Sequence, residues 1–214
     1  MGVQYRGCSH LYYAIETEAA DGTLTYGTPT VLAPVKSVSR DITDDNESIY
    51  ADNVVQDRTY GAKQVTRTFE TIRIAPEVAA TLLGDTTITI GTGASAKTGI
   101  ATNPDGSSKP YVAIGYALHD GDVDSPCEIV WAFHCKVNSI SQTSNTIDDG
   151  TGSEGQSIEI VNVAPKKAWT STGKRNLDFD LVIPDEMAAT DVATLVTTFF
   201  TQVVTPDNAS TVLA

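Results

Sequence analysis

Residues 128–137, EIVWAFHCKV, decide how the chain folds. Ile129, Trp131, Phe133, Cys135 and Val137 recur at every second position, with His134 and Lys136 between them. Only an extended backbone sends residues i, i+2 and i+4 to one face, so the spacing predicts a half-buried strand. On that pattern Trp131 lies on the buried face, and His134 faces solvent or a subunit interface.

The same period recurs elsewhere. NLDFDLVI (176–183) places Leu177, Phe179, Leu181 and Ile183 opposite Asn176, Asp178 and Asp180. YVAIGYAL (111–118) places Val112, Ile114, Tyr116 and Leu118 on one side, with small residues besides Tyr111 on the other. TVLAPVKSVS, KQVTRTFETIRI, TTITI and QSIEIVNV are further strand candidates with less regular alternation. Two segments carry the helical period. APEVAATLLG has Pro76 at a first helical position, Glu77 in the first turn and Gly84 as a stop. TDVATLVTTFF offers Thr190 as N-cap, with Val192, Leu195, Val196 and Phe199 on one stripe. The polar stretches 39–62, 91–110 and 141–156 are expected as long loops, of a length that serves function or stays disordered. No repeat or composition break divides residues 1–214, so one domain is expected.

Composition agrees with a β-rich chain. At 214 residues it buries roughly 70% of its unfolded surface and needs no staples. Its Thr, Ser, Asp and Gly content suits strands and turns better than a helical bundle. The balance of 14 basic against 27 acidic residues gives a net charge of −13. Such a surface repels phosphates, which excludes ordinary nucleic-acid binding while suiting a protein past which DNA must slide. Neither a secretory leader nor a run of about 20 apolar residues is visible, so no membrane partner is expected. Cys8, Cys127 and Cys135, an odd set without CxxC spacing, read as reduced thiols.

Candidate chemistry is sparse. Cys8 and His10 stand two residues apart, His119 and His134 stand alone, and no hydrolase or phosphate-loop signature accompanies them. Asp120, Asp122 and Asp124 in HDGDVDSPCE are spaced like the first ligands of a calcium loop. The glycine is at the wrong position and no Glu closes the loop, so Asp120-Gly121 reads as a turn. The acidic run Asp41, Asp44, Asp45 and Glu47 reads as a solvated edge that discourages stray strand pairing. No metal, cofactor or catalytic residue is therefore expected. Trp169 stands alone in KKAWTSTGK, so no aromatic sugar-binding patch is visible.

An ordered series of segments carries a resemblance. LYYAIETEAADGTLTYGTPTVLAPVKSVS, ESIYADN, LLG at 82–84, KPYVAIGYAL at 109–118, then EIVWAFHCKV and SIEIVNVA follow one another. Together, over about residues 8–165, they resemble the major tail proteins, the tail tube subunits, of long non-contractile-tailed bacteriophages. The last third of the chain lies outside this likeness. The resemblance implies a β-sandwich or barrel-like tail tube fold with a short flanking helix, to which the TDVATLVTTFF helix is added. It implies a non-enzymatic virion protein made in the host cytoplasm, self-assembling as hexameric rings stacked into a tube that conducts DNA without binding it specifically. Tape measure and terminator proteins of the tail would be its other partners. It places ESIYADN in an extended arm or edge, with Tyr50 giving apolar contact at a subunit interface and Asp52 and Asn53 setting register there. Two other readings fit parts of the sequence: a decoration or receptor-binding module, and a metal-dependent hydrolase built on the Asp-rich segments.

Overall fold

The computed structural model describes residues 5–51, 54–121, 125–143 and 155–213, and their side chains except at 45–47, 49–51, 55–56 and 58–60. In chain order the elements are β1 (Gly7–Glu18), β2 (Leu24–Tyr26), β3 (Thr30–Val31), β4 (Val35–Ala51) and β5 (Val54–Thr71). Helix α1 (Pro76–Leu83), β6 (Thr86–Ile90), β7 (Lys97–Ala101), β8 (Val112–His119), β9 (Glu128–Gln142) and β10 (Gln156–Asn162) follow. β11 (Asp178–Val182), α2 (Ala189–Thr201) and α3 (Ala209–Val212) close the chain. The expected mainly β architecture with a flanking helix and a C-terminal helix is what forms.

One antiparallel sheet runs β2-β1-β8-β9-β10-β5-β4, with β3 on β1 and β11 on β9. It curls until β1 and β4 approach each other, which makes the body barrel-like. The concave side holds Leu11, Phe69, Val112, Ile114, Tyr116, Ile158 and Ile160, and α1 packs against it through Leu82. Pro76 starts α1 as expected, and Gly84 ends it at φ 74°. A Cβ at Gly84 would stand 2.7 Å from Ser108, so both backbone conformation and space require glycine there. The opposite face holds a second core in which Trp131, Phe133 and Trp169 meet Val196, Phe199 and Phe200. Helix α2 supplies the last three, and the small side of β8 explains how it seats. A Cβ at Gly115 would lie 2.8 Å from the Trp131 ring and 2.9 Å from Phe200.

Period two does not survive the whole of β9. Ile129, Trp131 and Phe133 lie in the α2-facing core, whereas Cys135 and Val137 join Val130 and Ala132 in the concave one. A bulge resets the phase, because the β8–β9 register shifts between Val112 and Ile114 and His134 sits at φ 49°. An extra residue in one strand bends it and re-aims the side chains that follow. His134 is therefore not solvent-facing as expected but 4% exposed, its ring stacked on Tyr111 at 3.9 Å and its Nδ1 2.5 Å from buried Glu16 Oε1. β1 carries the matching irregularity at His10, φ 56°, where its register against β8 shifts.

Three other expectations need correction. Residues 39–62, expected as a loop, are most of the long strands β4 and β5. The 91–110 stretch contains β7, and residues 141–142 end β9, while 144–154 lie outside the described residues. The N-cap of α2 is Ala188, with Thr190 inside the helix, where its carbonyl accepts from the Thr194 hydroxyl at 2.9 Å.

Candidate assembly surface

Of the side chains singled out for chemistry, the three histidines are held by hydrogen bonds or ring stacking within the fold. His10 does not pair with Cys8. Its Nδ1 lies 2.6 Å from Ser9 Oγ, which is also 2.7 Å from His119 Nε2, and its ring stacks on Phe200. A hydroxyl has one proton, so Ser9 donates to one imidazole and accepts from the other. The trio ties the ends of β1 and β8 to α2. Among the described residues no group of three or more His, Cys, Asp or Glu converges as metal ligands. Asp122 and Asp124 lie outside the described residues. Trp169 is 8% exposed and packs on Phe133 with ring centroids 5.1 Å apart.

The surface features that stand out are strand edges, and the longest belongs to β4 and β5. β10 pairs β5 only from Val65 to Thr71, so residues 54–64 have β4 as their one neighbour among the described residues. At about 3.3 Å per residue, that is a two-stranded ribbon of roughly 35 Å leaving the body. Ile42 at its root and Val54 at its end are 52% and 59% exposed. The β4–β5 register shifts between Asp44 and Asn46 and between Ile49 and Tyr50, and such bulges strengthen the twist of a ribbon. Tyr50 therefore sits on an extended edge with its backbone at a bulge. Its side chain, and all of Asp52 and Asn53, lie outside the described residues.

The root of the ribbon is anchored by a polar cluster that period reading missed. Arg40 on β4 and Arg67 on β5 are cross-strand partners, two cations face to face. Asp178 on β11 joins them: its Oδ2 accepts from Arg40 Nη2 at 2.8 Å and from Arg67 Nη2 at 2.5 Å. Arg67 is 0% exposed, and its other donors reach Tyr116 Oη at 3.2 Å and Asn162 Oδ1. Asn162 in turn donates to the carbonyls of Phe133 and Leu177. Asp180 accepts from Arg40 at 3.1 Å. Burial and the neighbouring Asp178 carboxylate push the Asp180 carboxyl above its ordinary value. The signal in the sequence was the pair of aspartates, Asp178 and Asp180, on the polar side of NLDFDLVI.

A second projection is the β6–β7 hairpin, a separate two-stranded sheet. Every residue of β6 is exposed, including Ile88 at 49% and Ile90 at 59%. Its base is fixed: Asp85 Oδ1 accepts from the Asn103 amide at 2.9 Å, and the Ser108 hydroxyl donates to the Gly84 carbonyl at 3.2 Å. A third feature is the seam where β1 approaches β4. A cavity of about 380 Å³ lies there, with Arg6, Lys36 and Arg40 around Val38, Tyr116 and Leu118. At its rim the Tyr5 hydroxyl donates to Glu128, which pushes the phenol up to about 12.

No protein-family model matches the chain, and no curated protein sequence does. Among solved structures the chain is similar to a component of the PVC sheath–tube complex of an extracellular contractile injection system in its extended state. That match has 11% identity, covers 82% of this chain and 90% of the other, and has a TM-score of 0.39. It is also similar to the SPP1 tail tube, with 6% identity, coverage of 71% and 72%, and a TM-score of 0.38. Hcp1 from Salmonella typhimurium matches with 9% identity, coverage of 83% and 95%, and a TM-score of 0.33. Similarity of this degree assigns neither a family nor a function.

Proposed function

We propose that this chain is a structural subunit of a phage tail tube, which assembles as hexameric rings stacked around a lumen through which DNA passes. The observation that supports this most is the β4–β5 ribbon, where β4 is the last strand of the sheet and residues 54–64 of β5 run beyond β10, with β4 as their one neighbouring strand among the described residues. Unpaired edges are a liability in a monomer, and pairing between copies removes it. Contacts in which one patch meets a different patch on the next copy generate rings and open stacks. The order of sequence segments that resembles major tail proteins supports the same reading. So does the net charge of −13, since an acidic wall repels phosphates within about a Debye length and lets DNA slide.

In this reading ring closure uses the edges of the main sheet, the ribbon hooks one ring to the next, and Tyr50, Asp52 and Asn53 lie at a subunit interface. Tape measure and terminator proteins would meet the ends of the tube. Negative-stain electron microscopy of the purified chain at high concentration is expected to find sixfold rings or tubes. A protein that light scattering reads as strictly monomeric would overturn the assignment. Tyr50→Ala is expected to leave a folded monomer that assembles poorly; unchanged assembly would remove Tyr50 from the interface.

A further inference from the structure

Adjacent residues of a strand point to opposite faces. Ser9 and His119 obey that rule. Ser9 pairs with Ala117 and His119 with Gly7 across β1 and β8, so the two side chains share one face on a diagonal. Regular alternation would send His10 the other way. It does not, because the β1–β8 register shifts between Ser9 and Tyr12 and His10 takes φ 56°. A left-handed conformation is uncommon for a residue with a side chain, and at this bulge it re-aims the imidazole. His10 Nδ1 and His119 Nε2 lie 2.6 Å and 2.7 Å from the same oxygen, Ser9 Oγ. Stacking on Phe200 of α2 holds the His10 ring, and His119 is buried. Two imidazole nitrogens from two strands are thus preset on one point. Backbone strain of this kind gathers where a protein grips a ligand.

We propose that His10 and His119 form a binding site for a borderline divalent metal ion of the zinc and copper(II) class, with His10 Nδ1 and His119 Nε2 as its two protein ligands. The ion takes the place between the rings that the Ser9 hydroxyl now fills, at about 2.0–2.1 Å from each nitrogen, and small ring rotations close the remaining gap. Ser9 has one proton to donate, so one of the two nitrogens facing it already offers a bare lone pair. The other ring carries its proton on its far nitrogen once the ion is bound, so a neutral pair of imidazoles releases none. Imidazole ligands select zinc, copper and nickel over calcium and magnesium, which take oxygen. A cavity of about 330 Å³ borders Ser9 and His10 and admits the waters that complete the coordination shell. By the alternation of β1 the neighbouring Cys8 turns to the opposite face, across from Leu118, and supplies no ligand. A chain of net charge −13 also draws cations to its surface. The bound ion clamps β1 to β8 beneath α2, and the site stands apart from the tube reading.

The test titrates untagged, chelator-stripped protein with zinc sulfate while its melting is followed. An ion that binds only the folded chain stabilises it by mass action, so each tenfold of free zinc above the dissociation constant is expected to raise the melting temperature by about 3–6 °C. His10→Phe keeps a ring to stack on Phe200 and loses the ligand; His119→Gln removes the other. Each variant is read against its own melting curve in chelator, and both are expected to lose the zinc shift, whereas Cys8→Ser is expected to keep it. Copper(II) gives a readout on the wild-type chain that needs no variant. The electron paramagnetic resonance spectrum of its one-to-one complex is expected to show splitting from two imidazole nitrogens. No zinc shift in the wild type, a full shift in either histidine variant, or a copper spectrum with one nitrogen or none would overturn the assignment. So would loss of the shift in Cys8→Ser, which would put a thiolate in the site, or an equal shift with calcium chloride, which would mean that carboxylates hold the ion.

Discussion

Removing the Asp178 carboxylate should show how strongly the ribbon is held to the body. Arg67 is 0% exposed, and among the described residues Asp178 is the one carboxylate bonded to it; its other bonds go to the neutral Tyr116 and Asn162. In Asp178→Ala a guanidinium therefore remains buried without a counter-charge. Breaking a buried pair from one side costs about 3–5 kcal/mol. The Asp178 side chain is 19% exposed, so water relieves part of that charge and the lower end, about 3 kcal/mol, applies. The surface pair of Arg40 with Asp180 persists and offsets little. For a chain of this size 1 kcal/mol moves the melting temperature by about 2–4 °C, so a fall of roughly 6–12 °C is expected by calorimetry. Asp178→Asn, which keeps an acceptor and loses the charge, should fall between. The double change Arg67→Met with Asp178→Leu should recover only part of the loss, because it removes the uncompensated charge but takes the donor away from buried Tyr116 Oη and Asn162 Oδ1. A single-variant shift of under about 2 °C, or a double variant no better than the single, would refute the idea that charge compensation holds the ribbon root.

Two further tests address the body of the molecule. Gly115→Val places methyl groups where Trp131 and Phe200 already stand within 3 Å of a Cβ, so overpacking by about 1–3 kcal/mol is expected in urea unfolding, with α2 loosened. Asp180 bears on pH. A carboxyl whose folded value lies above its unfolded 3.8 favours the folded state while protonated, so its contribution is present below 3.8 and is lost as pH rises through the raised folded value. Asp180→Asn should accordingly gain stability relative to wild type across that window and keep a constant difference above it. A difference that shrinks with rising pH would contradict the burial of that group.

The strands were legible wherever one face is apolar and the chain keeps its phase. β8 and β11 run as their alternation predicts, and α1 begins and ends at its proline and glycine. β9 was legible only up to Phe133. Val130 and Ala132 already hinted at burial on both faces, but the bulge at His134 that moves Cys135 and Val137 to the other core leaves no mark in hydrophobicity. The ribbon was misread for the opposite reason. Its strands project beyond the sheet and have no core to face, so their sequence is polar and acidic like that of a loop. The root cluster was hidden because Arg40, Arg67, Asn162 and Asp178 come from four strands, and no local spacing unites them.

These two failures concern the same property of the chain. A protein of charge −13 repels its own copies over roughly 8 Å in physiological salt. In the tube proposed above, attraction between copies would therefore come from contacts that act at touching distance and in one orientation. Backbone edges meet both conditions, since their donors and acceptors are directional and lose nothing to charge. Asp44, Asp45 and Glu47 belong to β4, the last strand of the sheet, and acidic residues on an edge strand discourage stray pairing. Arg67, buried at the ribbon root beside Asp178, ties β5 to β11 at that point.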